Sequence, residues 1–506
     1  MLFFIKGFII KVKIIETKEV YMLLFFVGLI ILFGGGYLYS GYVEKQLEIG
    51  DNPTPAIKKA DGIDFVVMPR WKNWLVNLLN IAGTGPILGP IQGILFGPIA
   101  FLAIPIGCVL AGATHDFVMG TISMRNGGAQ MPRVIGKYIG NNIRKIYNVV
   151  VGVLLLLVGA VFVYTPGDLI ANDILHIDPA SNKVFIIYAI IFLYYLLSTV
   201  LPIDQLIGRI YPIFGAFLII SAVGIFIGLF MNGNLQHLSM PNQSGLLYEH
   251  PTGQKFIPAF FVTVACGILS GFHATQSTLI SRTIGSEREN RQVFYSGMIC
   301  EGFIAMIWAA GAMVLFSQNT ALDTPATLMV GEVSRYFMGK VGGVIAVIGV
   351  IALPITTGDT AFRSLRLIVA EELNLDQKAA GKRLGLSVLL FIPAILLLVW
   401  AKSDTNGFNM IWRYFGFMNQ LVGIFALAAA TSYLMNKGKN YLIVFIPGLF
   451  YTFIVSSFIL YDPKVGFGIS YPIALIIGLV LTAAYGYGTL HASKKNKDRI
   501  AHIILE

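Results

Sequence analysis

The chain has 506 residues, of which 56% are hydrophobic and only 12% charged, and its mean hydropathy is +0.75. A soluble domain carries roughly 25% charged residues, so the composition describes a polytopic membrane protein and leaves no room for a soluble domain. The net charge of +10 does not point to nucleic acid, because the basic residues fall between apolar runs, where topology signals sit.

Lysines at 6, 11, 13 and 18 precede the first apolar run, and no small-residue cleavage site follows it. Met22, just before LLFFVGLIIL, is therefore a candidate true start. Runs of about 20 apolar residues, enough to span a bilayer, lie near 20–42, 74–95, 96–121, 146–164, 184–201, 210–231, 257–279, 293–317, 341–360, 384–401, 411–434, 440–461 and 470–490. They predict an all-α protein with about thirteen transmembrane helices. Taking the loop at 43–73 as cytoplasmic puts 25 of the 36 Lys and Arg inside and 6 outside, with Arg413 in a span and the four N-terminal lysines set apart. The reverse orientation would violate the positive-inside rule.

The spans group into an extra helix and loop at 1–73, two sets of five at 74–231 and 257–434, two further helices at 440–490 and a cytoplasmic tail at 491–506. Because five is odd, the second set enters the membrane inverted. Each set opens on an interrupted span. In the first, GTGPILGP (83–90) holds two prolines that free carbonyl groups of the preceding turns. In the second, CGILSGFHATQS (266–277) is loosened by Gly267 and Gly271. Freed peptide groups at membrane depth cost several kcal/mol unless buried in protein or lining a wet cavity. Paired interruptions in two halves point to the binding site of a secondary transporter. Gly83, Thr84, Gly85, Ser270, Gly271, His273 and Gln276 are the candidate substrate-binding residues, since amides at a half-helix N-terminus suit a carboxylate.

Ionisable residues inside spans are expensive and mark substrate or proton sites. Glu301 lies about eight residues into its span, where burial disfavours the charged form and suits a group that binds and releases a proton. His115, Asp116 and Asp359 are the other coupling candidates; each carboxylate has a plausible local cation, Arg125 for Asp116 and Arg363 or Arg366 for Asp359. Arg413, near the outer end of its span, has room to snorkel. Cys108, Cys266 and Cys300 lie in apolar runs without CxxC spacing and read as core residues, so neither metal nor other cofactor is expected. No HExxH, GxGD, serine-protease GxSG or GxxxxGK[ST] motif occurs. An enzyme or nucleotide-driven pump is therefore disfavoured, and the driving energy falls to an ion gradient.

NIAGTGPILGPIQG (80–93), LAGATHDF (110–117), SGFHATQSTLISRT (270–283), LPITTGDTAFRSLRL (353–367) and RYFGFMNQLV (413–422) together resemble the carbon starvation protein A family, in order through most of the chain. The resemblance implies uptake of small organic nutrients, peptides or pyruvate, across the bacterial inner membrane when carbon is scarce. It also implies a core similar to the amino acid, polyamine and organocation transporters, with their five-plus-five inverted repeat. The leading expectation is a proton-coupled symporter. A sodium-coupled carrier, and a channel or nutrient sensor without coupled transport, are the alternatives.

Overall fold

The computed structural model describes residues 17–62, 64–200, 203–318, 320–377, 379–404 and 406–495. The lysines at 6, 11 and 13 and the tail beyond 495 lie outside the described residues. No β-strand forms among the described residues, and a single bridge pairs Met68 with Ile284. The chain runs through α1 (Glu19–Leu47), α2 (Arg70–Ala82), α3 (Gly85–Gly93), α4 (Ala100–Arg125) and α5 (Asn141–Ile174). It continues through α6 (Val184–Val200), α7 (Ile203–Phe230), α8 (Phe256–Thr263), α9 (Ala265–Ile268) and α10 (Gly271–Ile280). Last come α11 (Glu287–Ser317), α12 (Ala326–Glu372), α13 (Ala380–Ser403), α14 (Gly407–Asn436), α15 (Leu442–Tyr461) and α16 (Tyr471–Lys495).

Among the described residues ten helices are long and apolar enough to cross a membrane, or up to eleven when the bent pair α2–α3 counts as one. The sequence expectation of thirteen is higher because it counted apolar runs, whatever their backbone does. The run at 184–201 is a shorter apolar helix, and that at 257–279 is divided among α8, α9 and α10.

Both expected interruptions are present, and each is narrower than its motif. The first is confined to Gly83 and Thr84. Gly83 takes φ 48° and ψ −143°, a conformation open in practice only to glycine, and the axis bends by 47°. Pro86 then sits in the first turn of α3, where its missing N–H costs nothing. Pro90 does not end the helix as its position suggested: α3 runs through it to Gly93. The second interruption is the extended pair Leu269 and Ser270, with φ −155° and −127°. No proline is needed, because α14 packs its backbone here: a Cβ on Gly271 would lie 2.2 Å from the Gly423 nitrogen.

Position in the molecule follows from side-chain type. All ten residues of α10, polar ones included, are buried, as is α3 except for Gln92. α10 lies against α2, α4 and α14. Helices α1, α6, α13 and α16 instead expose large apolar side chains such as Leu38, Ile186, Leu396 and Val480, the surface expected against lipid rather than water. The interrupted segments thus lie in the interior, and the unbroken helices enclose them.

Candidate functional site

Three helices converge on the second interruption. In α4 a π-helical turn, Cys108–Gly112, immediately precedes His115 and Asp116. Such turns leave a carbonyl without its normal donor, and here Tyr295 Oη donates to Val109 O at 3.0 Å. Gly112 lets α4 approach closely, since a Cβ there would lie 2.2 Å from the Ile268 carbonyl oxygen. Gly302 does the same for α11, where a Cβ would meet Cys108 Sγ at 2.7 Å. These small residues bring Glu301 of α11, Asp116 of α4 and His273 of α10 to one point.

The result is a chain of ionisable groups with no solvent exposure. Asp116 accepts from two imidazoles: His115 Nδ1 lies 2.8 Å from its Oδ1 and His273 Nδ1 3.1 Å from its Oδ2. The far side of the His273 ring faces Glu301, with Nε2 3.7 Å from Oε2. All four side chains are fully buried. An ionised Asp116 can only accept, which assigns the proton on His273 to Nδ1 and directs Nε2 at Glu301. At 3.7 Å that contact is too long for a hydrogen bond, and neither Glu301 oxygen has another partner.

A proton in this gap has two homes. On Glu301 it leaves two neutral groups; on His273 Nε2 it makes an imidazolium and a carboxylate. At an effective dielectric of about 20, the ionised pair gains roughly 4 kcal/mol of attraction, while burying each ion costs several. Attraction and desolvation thus act in opposite directions on where the proton sits.

One sequence-based alternative, Arg125 as the partner of Asp116, fails here. Arg125 does not pair with Asp116: its Nε donates to Glu287 Oε1 at 2.5 Å and its Nη1 to Tyr433 Oη at 2.7 Å. Asp359 lies in a separate cluster on α12, where the Ser198 hydroxyl donates to its Oδ1. Arg363, one turn on, reaches the Ser198 carbonyl at 3.1 Å and stands 4.0 Å from Asp64. Arg413 is paired with Asp462 at 3.3 Å rather than snorkelling.

The candidate substrate residues are brought together and closed over. A Cβ on Gly85 would lie 2.1 Å from Cys266 Cβ, so α3 and α9, beside the two interruptions, pack directly on each other. Gly83 is packed on Phe162. Thr84, Ser270, His273 and Gln276 are each fully buried. Ser270 donates to Asn419 Oδ1 at 2.8 Å, and Gln276 Nε2 to Thr275 Oγ1 at 3.0 Å. Thr84 Oγ1 and Gln276 Oε1 have no partner. Sequence reasoning missed Asn419 and Ser198. Asn419 stood inside the RYFGFMNQLV motif, but an uncharged amide in a span drew no notice. The three cysteines are free, and no group of three or more His, Cys, Asp or Glu among the described residues is arranged to hold a metal.

Known proteins resemble the chain at two levels. In fold, a crystallised variant of the Eremococcus coleocola manganese transporter matches with a TM-score of 0.57 over 87% of this chain and 99% of that one, at 12% identity. In sequence, an uncharacterized membrane protein of Haemophilus influenzae is 39% identical over 60% of this chain and 93% of its own length. A peptide transporter CstA of Campylobacter jejuni is 24% identical over 80% of this chain and 74% of its own. The pyruvate/proton symporter BtsT of Escherichia coli is 25% identical over 60% of this chain, which spans only 50% of that protein. The model of the carbon starvation protein CstA family matches residues 20–165, 167–338 and 334–457. With buried polar breaks inside an all-helical membrane protein and that match across most of its length, the chain belongs to the carbon starvation protein CstA family.

Proposed function

We propose that this membrane transporter couples uptake of a small carboxylate-bearing nutrient, a peptide or pyruvate, to entry of a proton. The observation that carries the reading is the buried chain Asp116, His273, Glu301, because His273 belongs both to it and to the second helix break. A substrate carboxylate received between Gly83, Thr84, Gly85 and Ser270, Gly271, His273, Gln276 would meet amides of α3 and α10 and compete with Glu301 for the His273 proton. Binding of substrate and of proton would thereby depend on each other. His115 holds Asp116 from its other side, and Asp359 serves a separate cluster. The same reading makes 74–231 and 257–434 inverted repeats that rock against each other, and places the protein in the bacterial inner membrane under carbon scarcity.

The test is uptake of labelled pyruvate and of a labelled dipeptide into proteoliposomes under an imposed proton or sodium gradient. Accumulation driven by the proton gradient alone is expected. Accumulation that follows sodium and ignores protons overturns the coupling; flux that never exceeds equilibration identifies a channel.

A further inference from the structure

A buried proton site needs a route to one face of the membrane, and α2 carries three buried asparagines that no role described so far uses. Asn73, Asn77 and Asn80, with Thr84 just beyond the helix, follow one another at spacings of four, three and four, which is one face of a helix. Each is at least 99% buried. The stripe runs between α10 and α11, where Asn77 Nδ2 donates to the Val293 carbonyl at 3.0 Å. At the outer rim of the pair, Asn73 Nδ2 donates to the Thr283 carbonyl at 3.1 Å and Thr283 Oγ1 donates to Asn73 Oδ1 at 2.7 Å. Toward its inner end α2 packs against α10, the helix that carries His273. Eight residues of helix separate Asn73 from Ile81, about 12 Å.

On these two helices polar atoms are buried without a partner: Asn77 Oδ1 and Asn80 Oδ1 on α2, and Gln276 Oε1 and Ser277 Oγ on α10. Each such atom is destabilising if nothing satisfies it, and leucine at the same positions would carry no such cost. In proteins such groups are satisfied by ordered water. Beside Asn80 a crevice of ≈ 10 Å³, mostly apolar in its lining but reached by Thr283, Thr360 and Arg363, is about the size of one water. The charged groups at its ends are His273, Asp116 and Glu301 inside and Arg363 with Asp64 at the rim. The rim lies on the side of the Lys- and Arg-rich loops, which is cytoplasmic by the positive-inside rule.

We infer that this stripe is the cytoplasmic arm of the proton path: a file of water held by Asn77, Asn80, Gln276 and Ser277 joins His273 to the rim at Asn73 and Thr283. A proton leaving His273 breaks its N–H bond and forms an O–H bond on the nearest water; each water accepts one proton and passes another on, and the last is released at the rim. The inference rests on the proton-coupled reading but can fail apart from it.

Asn80→Leu interrupts the file with a side chain of similar size, and Asn80→Ser keeps a hydroxyl. In proteoliposomes holding a trapped pH dye, pyruvate and dialanine are supplied outside. Asn80→Leu is expected to lower substrate-driven proton movement and accumulation at least tenfold, leave counterflow exchange within twofold, and be rescued by Asn80→Ser. Wild-type proton movement in a folded Asn80→Leu protein overturns the inference. If the unsubstituted protein moves no proton, the coupling reading falls, and water access is judged separately by Asn80→Cys. Its reaction with a small charged thiol reagent from the cytoplasmic side, above that of the unsubstituted protein, upholds a wet path; protection from both sides overturns it.

Discussion

Glu301 is held by shape and not by hydrogen bonds: both carboxyl oxygens are buried and unpartnered, and its nearest charge partner is His273 Nε2. Glu301→Gln keeps that shape and fixes a neutral group in place of one that gains and loses a proton. Gradient-driven accumulation is expected to vanish while counterflow exchange stays within about twofold, since exchange needs no net proton movement. A Gln variant that still concentrates substrate with the normal pH dependence makes Glu301 structural. Asp116→Asn is also expected to be damaging, because an amide can donate as well as accept and no longer fixes the His273 tautomer. Loss of a partner that orients a functional imidazole typically costs 10- to 100-fold, here in coupled uptake. Each of these residues was legible singly as an ionisable group inside an apolar run. Their meeting was not, because 157 residues separate Asp116 from His273 and no local pattern encodes which span faces which. Asp359 shows the limit: the same rule picked it out, yet it answers to Ser198 on another helix.

At the scale of elements, the breaks were readable from glycine and proline, but the atoms that enforce them were not. Proline marked the first interruption through its effect on the turn before it, and α3 passing through Pro90 shows that a missing N–H is tolerable where packing holds the helix. The second interruption depends on close approach. A methyl at Gly271 would meet the backbone of Asn419, Val422 and Gly423 within 2.6 Å, and backbone cannot turn aside. Gly271→Ala is therefore expected to destabilise the protein by about 1–3 kcal/mol and to lower its thermal midpoint in detergent. Gly385, in α13, has nothing within 4 Å of the corresponding position. There alanine should be neutral or stabilising by up to about 1 kcal/mol, because it removes the helix penalty of glycine. Equal shifts for the two variants would mean that helix propensity, and not contact with α14, decides stability at Gly271.

Across the whole molecule, the count of basic residues indicated which loops share a face, and the structure shows what those residues hold. The end of α1 and the segment that follows it are stitched over the ends of other helices. Glu44 pairs with Arg291 at 3.0 Å, Asp51 with Arg288 at 2.5 Å, and Glu48 with Lys439. Met68 N donates to the Thr283 carbonyl at 2.9 Å. Glu287 lies at the centre, accepting from Arg125 Nε at 2.5 Å and from Gly50 N at 3.1 Å. These partners lie up to 237 residues from it in sequence, so composition alone could not match them. The exposed pairs contribute little, about 0–1 kcal/mol each. Glu287 differs because its side chain is 2% exposed. Removing its charge leaves Arg125 facing an amide in a largely desolvated site, a loss discounted to about 1–3 kcal/mol because Arg125 is 21% exposed. If opening toward the cytoplasm requires this latch to part, each 1.4 kcal/mol multiplies the open population tenfold. Glu287→Gln should then speed amide hydrogen exchange at 43–69 and 280–292 by about tenfold or more, with the interior of α11 unchanged. Exchange as slow as in the unsubstituted protein would show that the latch does not limit opening, and that the closed cytoplasmic face is held by the packing of α2 against α10 and α11.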